Sequence, residues 1–194
     1  MMNAAYHTDE ELVALHNEGE RSAFPELIKR YLTPIYNFTL RGGCDADSAE
    51  DVSQEIFVKV WKNLEHYDES AASFKTWLFR IARNAIVDYL RKRKHIALSS
   101  FDTDEGDNPV VDTLEDTAPL QDEIFAHVED KKMIEEALLK LSFADREVIV
   151  LHEYEEMTFE EIGRVLHEPL NTAKSRHRRA LVKLRSIILN QKPH

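Results

Sequence analysis

The chain has 194 residues, 43% of them hydrophobic, with 25 Lys and Arg against 36 Asp and Glu. That size bounds it to one or two small globular domains, and only 5 glycines and 6 prolines favour helices over a strand-and-turn fold. No run approaches the roughly 20 apolar residues of a membrane span, the acidic start MMNAAYHTDEEL lacks a signal-peptide core, and a single cysteine, Cys44, excludes an intramolecular disulfide, so a cytoplasmic protein without membrane insertion is expected.

Thr8-Asp9-Glu10-Glu11 has capping-box spacing and opens a short helix through Leu12, Val13 and Leu15, ending at Gly19. A second helix is expected from about Ser22 to Arg41, with Pro25 in its first turn. Pro34 inside it should kink or locally break it, and Gly42-Gly43 should close it. A third runs from about Asp47 to Leu64. Val52, Ile56, Phe57, Val60, Trp61 and Leu64 take its buried side; Asp51, Gln54, Glu55, Val58 and Lys62 take the other. That second face fits plain solvation or docking to another protein equally well.

Residues 65–73 form a loop, and Ser73 can cap a fourth helix from Phe74 to about Lys94. Phe74, Trp77, Leu78, Ile81, Ala82, Ala85 and Tyr89 make its buried stripe; Arg80, Arg83, Asn84, Val87 and Arg91 lie opposite. Arg91-Lys92-Arg93-Lys94 suits the helix dipole, but four cations in a row near aromatic residues also suit unpaired DNA.

Charge divides sharply along the chain. Residues 1–98 carry 13 Lys and Arg against 15 Asp and Glu; residues 131–194 carry 12 against 10. Residues 99–130 carry 11 acids and no base, so the whole net of -11 matches this one block. Without helical period, residues 95–119 read as an extended linker, either a solvated tether or a mimic of nucleic-acid charge. From near Leu120 a helix marked by Ile124, Val128, Ile134, Leu138 and Leu141 follows. Ser142 caps the next, with Val148, Ile149, Leu151 and Tyr154 as its apolar positions.

Thr158 to Ile188 then reads as a helix-turn-helix. Thr158 and Glu161 form a second capping box. Ile162, Val165 and Leu166 face inward, Pro169 interrupts, and Asn171 or Thr172 can cap the second helix. From Lys174 to Lys192 there are seven Lys and Arg and no acid. Like charges at that spacing repel, so a one-sign face in an acidic chain argues for a phosphate partner rather than solvent. Such a unit lays its second helix in the DNA major groove.

Nothing suggests catalysis or a cofactor. There is no phosphate-binding glycine loop and no metal-ligand motif, and the nine His, scattered in sequence, are expected at the surface as non-ligands.

Two segments together resemble a bacterial sigma factor of the extracytoplasmic-function (ECF) group. Ala49-Glu50-Asp51-Val52-Ser53-Gln54-Glu55-Ile56-Phe57-Val58-Lys59-Val60-Trp61, with Phe74 to Asn84 and Asp88-Tyr89-Leu90-Arg91, is similar to sigma region 2. Leu141 to Leu184, with Arg146-Glu147-Val148, Thr158 to Gly163 and Thr172 to Arg176, is similar to region 4. The resemblance implies an all-α protein of two small helical domains: a region 2-like domain over 1–95, an acidic linker over 96–129, and a region 4-like helix-turn-helix domain over 130–194. Its partners would be core RNA polymerase, promoter DNA and an anti-sigma factor. By it, Asp51, Gln54, Glu55 and Val58 would dock on the clamp helices of the large polymerase subunit. Loop 65–73 would hold a base flipped from the -10 element, with Lys75, Arg80, Arg83, Asn84 and Arg91 on the melting strand. Thr172, Lys174, Ser175, Arg176, Arg178, Arg179 and Lys183 would meet the -35 element, and the linker would thread the polymerase cleft. His167 and Asn171 stand where the family usually has glycine. A left-handed residue in that turn suits asparagine better than histidine. A stand-alone helix-turn-helix regulator would explain residues 158–188 but leave the third and fourth helices without purpose. A polymerase-binding adaptor would make Arg176 and Arg179 dispensable.

Overall fold

The computed structural model describes residues 7–98 and 131–191, and every regular element among them is helical. The acidic linker from residue 99 on, the predicted helical positions Ile124 and Val128, and Lys192 lie outside the described residues.

Helix α1 (Asp9–Asn17) opens on the expected capping box, with Glu11 N–H donating to Thr8 Oγ1 and Thr8 N–H to the Glu11 carboxylate. Helix α2 (Ala23–Gly42) ends on Gly43 at φ 103. It continues unbroken through Pro34, so the local break that the sequence allowed does not occur. Proline removes one backbone hydrogen bond there, but Tyr31, Ile35 and Phe38 on either side are anchored in the core. Helix α3 (Ala46–Asn63) is capped by Asp45, whose carboxylate accepts from Ser48 N–H at 3.0 Å. A single 3-10 turn (Leu64–His66) leads into the loop, and Ser73 Oγ accepts from Thr76 N–H at the start of α4 (Phe74–Leu98). That helix runs past the predicted boundary at residue 95.

Phe38, Phe74, Phe79, Leu27, Ile56 and Ile86 are fully buried. Phe38 and Phe79 meet edge-on at 5.1 Å, and Tyr31, Tyr67 and Trp77 surround Phe74. Phe79 and Ile86 fall outside the single stripe expected on α4, because α4 is covered on two sides: α2 and α3 on one, the C-terminal helices on the other.

Helix α5 (Lys131–Leu139) precedes α6 (Phe143–Ile149), which Ser142 caps as expected. A π-helical turn (Val150–Tyr154) follows directly. Helix α7 (Phe159–Leu166) starts on the Thr158–Glu161 capping box. His167 ends it in the left-handed region at φ 57, the conformation the sequence flagged. Helix α8 (Leu170–Gln191) begins straight after Pro169, whose carbonyl accepts from Thr172 and Ala173. Asn171 and Thr172 therefore lie inside the first turn rather than capping it.

The two helical groups pack against each other. Arg146, buried, donates to the Gly42 carbonyl at 2.9 Å and to Leu139 at 3.3 Å. The Arg41 guanidinium lies 3.9 Å above the Tyr154 ring, and Lys75 donates to the Glu155 carbonyl.

Candidate nucleic-acid interface

Helix α8 is one-sided. Ala173, His177, Ala180, Leu181, Leu184 and Ile188 are buried, the helix packing on α5, α6 and α7, with His177 reaching Glu153 of the π turn. Lys174 and Ser175 in its exposed second turn point to solvent; Thr172, Arg178 and Arg179 are half-buried. Gly163 makes the tight approach of the two helices possible: a Cβ there would stand 2.7 Å from the Glu168 carbonyl oxygen.

Two cations of this face are engaged by carboxylates of their own group. Arg176 pairs with Glu168 and stands 3.9 Å from Glu147. Lys183 donates to Asp145 at 2.6 Å while its side chain stays 59% exposed. Lys174, Arg178 and Arg179 have no acidic partner among the described residues, so the cationic field of the helix is concentrated on its first three turns.

The polar and cationic residues of α4 divide differently. Asn84 and Arg91 are exposed, and Arg91 keeps only a 4.0 Å pair with Asp88. Arg83 Nε donates to Glu147 at 3.1 Å, Lys75 is held by Glu155, and Arg80 borders a groove of about 600 Å³. That groove lies between loop residues His66 and Asp68 and the turn after α7, at His167 and Pro169. Glu147 is thus shared by arginines of both groups, Arg83 and Arg176, with its side chain only 1% exposed. Burial pushes its carboxyl above the ordinary range, and the two guanidiniums oppose that.

The predicted docking face of α3 is brought together as expected: Asp51, Gln54, Glu55 and Val58 are all exposed on one helix. Glu55 forms a 2.8 Å pair with Lys59, which holds its carboxyl below the usual range. Trp61, read from its spacing as buried, is instead 58% exposed and extends this face beyond the 47% exposed Val58. The signal was available: Val58 and Trp61 are three residues apart and so neighbours on one helix surface. The histidines depart from expectation as well, since His177 is buried and His152 half-buried.

Comparison with known proteins fits this geometry. Residues 27–96 match the Sigma-70 region 2 family, and residues 137–186 match Sigma-70, region 4. The chain is 31% identical over 170 residues to the ECF RNA polymerase sigma factor SigW of Bacillus subtilis, covering 87% of this chain and 90% of that protein. It is 29% identical over 175 residues to the ECF RNA polymerase sigma factor RpoE of Cereibacter sphaeroides, covering 89% and 90%. Among solved structures, CnrH in complex with the cytosolic domain of CnrY shares the fold at a TM-score of 0.68 and 24% identity, over 95% of this chain and 99% of that one. The sigma factor RpoE of Bartonella quintana, in complex with the anti-sigma factor NepR, shares it at 0.67 and 22%, over 87% and 98%. With a region 2 unit, a region 4 helix-turn-helix and relatives of this kind along nearly its full length, the chain belongs to the extracytoplasmic-function sigma factors of RNA polymerase.

Proposed function

We propose that three surfaces divide the work of promoter-directed initiation in this chain. As a sigma factor it directs core RNA polymerase to promoters and has no catalytic role of its own. The exposed face of α3, from Asp51 through Gln54, Glu55 and Val58 to Trp61, docks on the clamp helices of the large polymerase subunit. Two apolar side chains among acids on an otherwise regular helix suit a partner surface better than solvent.

The observation that carries the DNA assignment is the unpartnered cationic start of α8. Lys174 and Ser175 sit where a recognition helix meets base edges, and Arg178 and Arg179 follow where phosphates lie. This helix reads the -35 element. On α4, Arg80, Arg83 and Asn84 face the melting -10 strand, Lys75 and Arg91 flank it, and loop 65–73 holds a flipped base beside Trp77.

In the arrangement seen here Arg83 and Lys75 are bonded to the C-terminal group. Their use on DNA requires the two groups to separate. An anti-sigma partner holding them together would keep both DNA surfaces from acting; CnrH and the Bartonella RpoE are themselves seen bound to such proteins or to a cytosolic domain. The protein works in the cytoplasm, with the polymerase.

Footprinting on a promoter complex with core polymerase tests the division. Lys174→Ala with Arg179→Ala should abolish protection near -35. Arg80→Ala with Asn84→Ala should keep that protection but abolish permanganate-reactive thymines near -10. The same loss from both pairs, or from neither, contradicts the assignment.

A further inference from the structure

The geometry points to a divalent transition-metal site of the zinc class, formed by His152, Glu153 and His177 in the C-terminal group. One ligand atom from each of these residues lies within 4.8 Å of the other two. The set joins two elements: His152 and Glu153 come from the π turn, His177 from the buried side of α8. His177 stands 24 residues beyond Glu153, which is why no ligand spacing shows in the sequence.

The imidazole of His152 is held by a partner outside the cluster. Its Nδ1 lies 2.8 Å from the Met157 carbonyl oxygen. A carbonyl only accepts, so Nδ1 carries the proton and the ring's lone pair falls on Nε2. This is the outer-sphere arrangement that fixes ligating histidines in metal proteins. Phe159 stacks on the same ring at 4.4 Å, and the His152 and His177 rings meet edge-on at 4.8 Å. His177 Nε2 stands 2.9 Å from Glu153 Oε1.

The backbone around the cluster is unusual at two points. Single π turns inside α-helical segments occur often at functional sites, and this one sets His152 and Glu153 side by side toward α8. Glu156 then adopts φ 54, a costly conformation for a non-glycine residue, immediately before the Met157 carbonyl that holds His152.

Two imidazoles and one carboxylate are a zinc donor set that leaves a fourth position for water. Tetrahedral ligands at about 2.1 Å from an ion are about 3.4 Å apart, so seating it opens the 2.9 Å pair of His177 and Glu153 slightly and closes the wider separations, which reach 4.8 Å at most. In the ion-free chain Nε2 of His177 bears the proton given to the carboxylate. The entering ion takes that place, and the proton moves to Nδ1 or to solvent. The bound ion ties the recognition helix to the π turn beneath it.

The test uses the full chain, freed of metal by chelation, with Zn²⁺ titrated against a chromophoric competitor and Co²⁺ as the spectroscopic probe. One ion per chain is expected, with the visible band of low-coordinate Co²⁺ and a melting temperature that rises with added Zn²⁺. His152→Gln and His177→Gln should each weaken binding by more than about tenfold, while His66→Gln, at an exposed histidine outside the cluster, should not. If His177→Gln does not fold, the half-buried His152→Gln decides alone. Absence of a saturable single site overturns the proposal, as does a site that survives His152→Gln or is lost instead in Cys44→Ala.

Discussion

Cys44 shows what burial does to a single side chain. It is enclosed beside Asp45, and this environment pushes its thiol up to about 11 from 9.0. A raised thiol has less thiolate at neutral pH, by about a hundredfold for that shift, and thiolate is the reactive form. Iodoacetamide should therefore label Cys44 at least about a hundredfold more slowly in the native chain than in urea. The linked stability is fully present below 9.0 and is lost as pH rises through about 11. His167 makes the opposite kind of prediction. A left-handed non-glycine residue costs about 1 kcal/mol, so His167→Gly should raise the unfolding free energy by about that amount in chemical denaturation.

At the scale of elements, the helix-turn-helix depends on close approach. Gly163→Ala places a methyl 2.7 Å from the Glu168 carbonyl, a backbone atom that cannot rotate away. The turn must shift, at a cost of about 1–3 kcal/mol. Urea unfolding should show that loss, and affinity for -35 duplex should fall with it. This unit was the most legible part of the sequence, since capping boxes, an apolar stripe and a one-sign face are all local signals. The caps of α1, α6 and α7 and the end of α2 follow from single residues and their spacing. Trp61 and Phe79 escaped because a helical period shows which residues share a side, not how many sides are covered. α4 is sandwiched and α3 is not. The break allowed at Pro34 does not occur because packing of Tyr31, Ile35 and Phe38 outweighs one missing hydrogen bond. The histidine cluster escaped because His152 and His177 meet only after α8 folds onto the π turn.

At the scale of the whole molecule, the two groups meet where α7 packs on α4 and α6 on α2, and polar contacts tie that seam: Arg83 with Glu147, Arg146 with Gly42, Arg41 over Tyr154 and Lys75 with Glu155. None is a feature of one segment, so none could be read from local pattern. Interfaces of this type allow relative motion. Arg41→Ala removes the ring contact and a 3.7 Å pair with Glu135, a loss of about 1–2 kcal/mol. Small-angle scattering should then report a larger radius of gyration for the variant than for the parent, with helical content unchanged.

In the proposed division of surfaces, α3 carries the polymerase while α4 and α8 carry the promoter. Run-off transcription with core polymerase on a library of promoter fragments addresses it most directly. The expected result is initiation that depends on the protein, is confined to a subset of fragments, and is abolished by Asp51→Lys with Glu55→Lys in a chain that still folds and still binds -35 duplex. Initiation that is indifferent to those two reversals would contradict the docking face, and transcription unchanged by adding the protein would contradict the account as a whole.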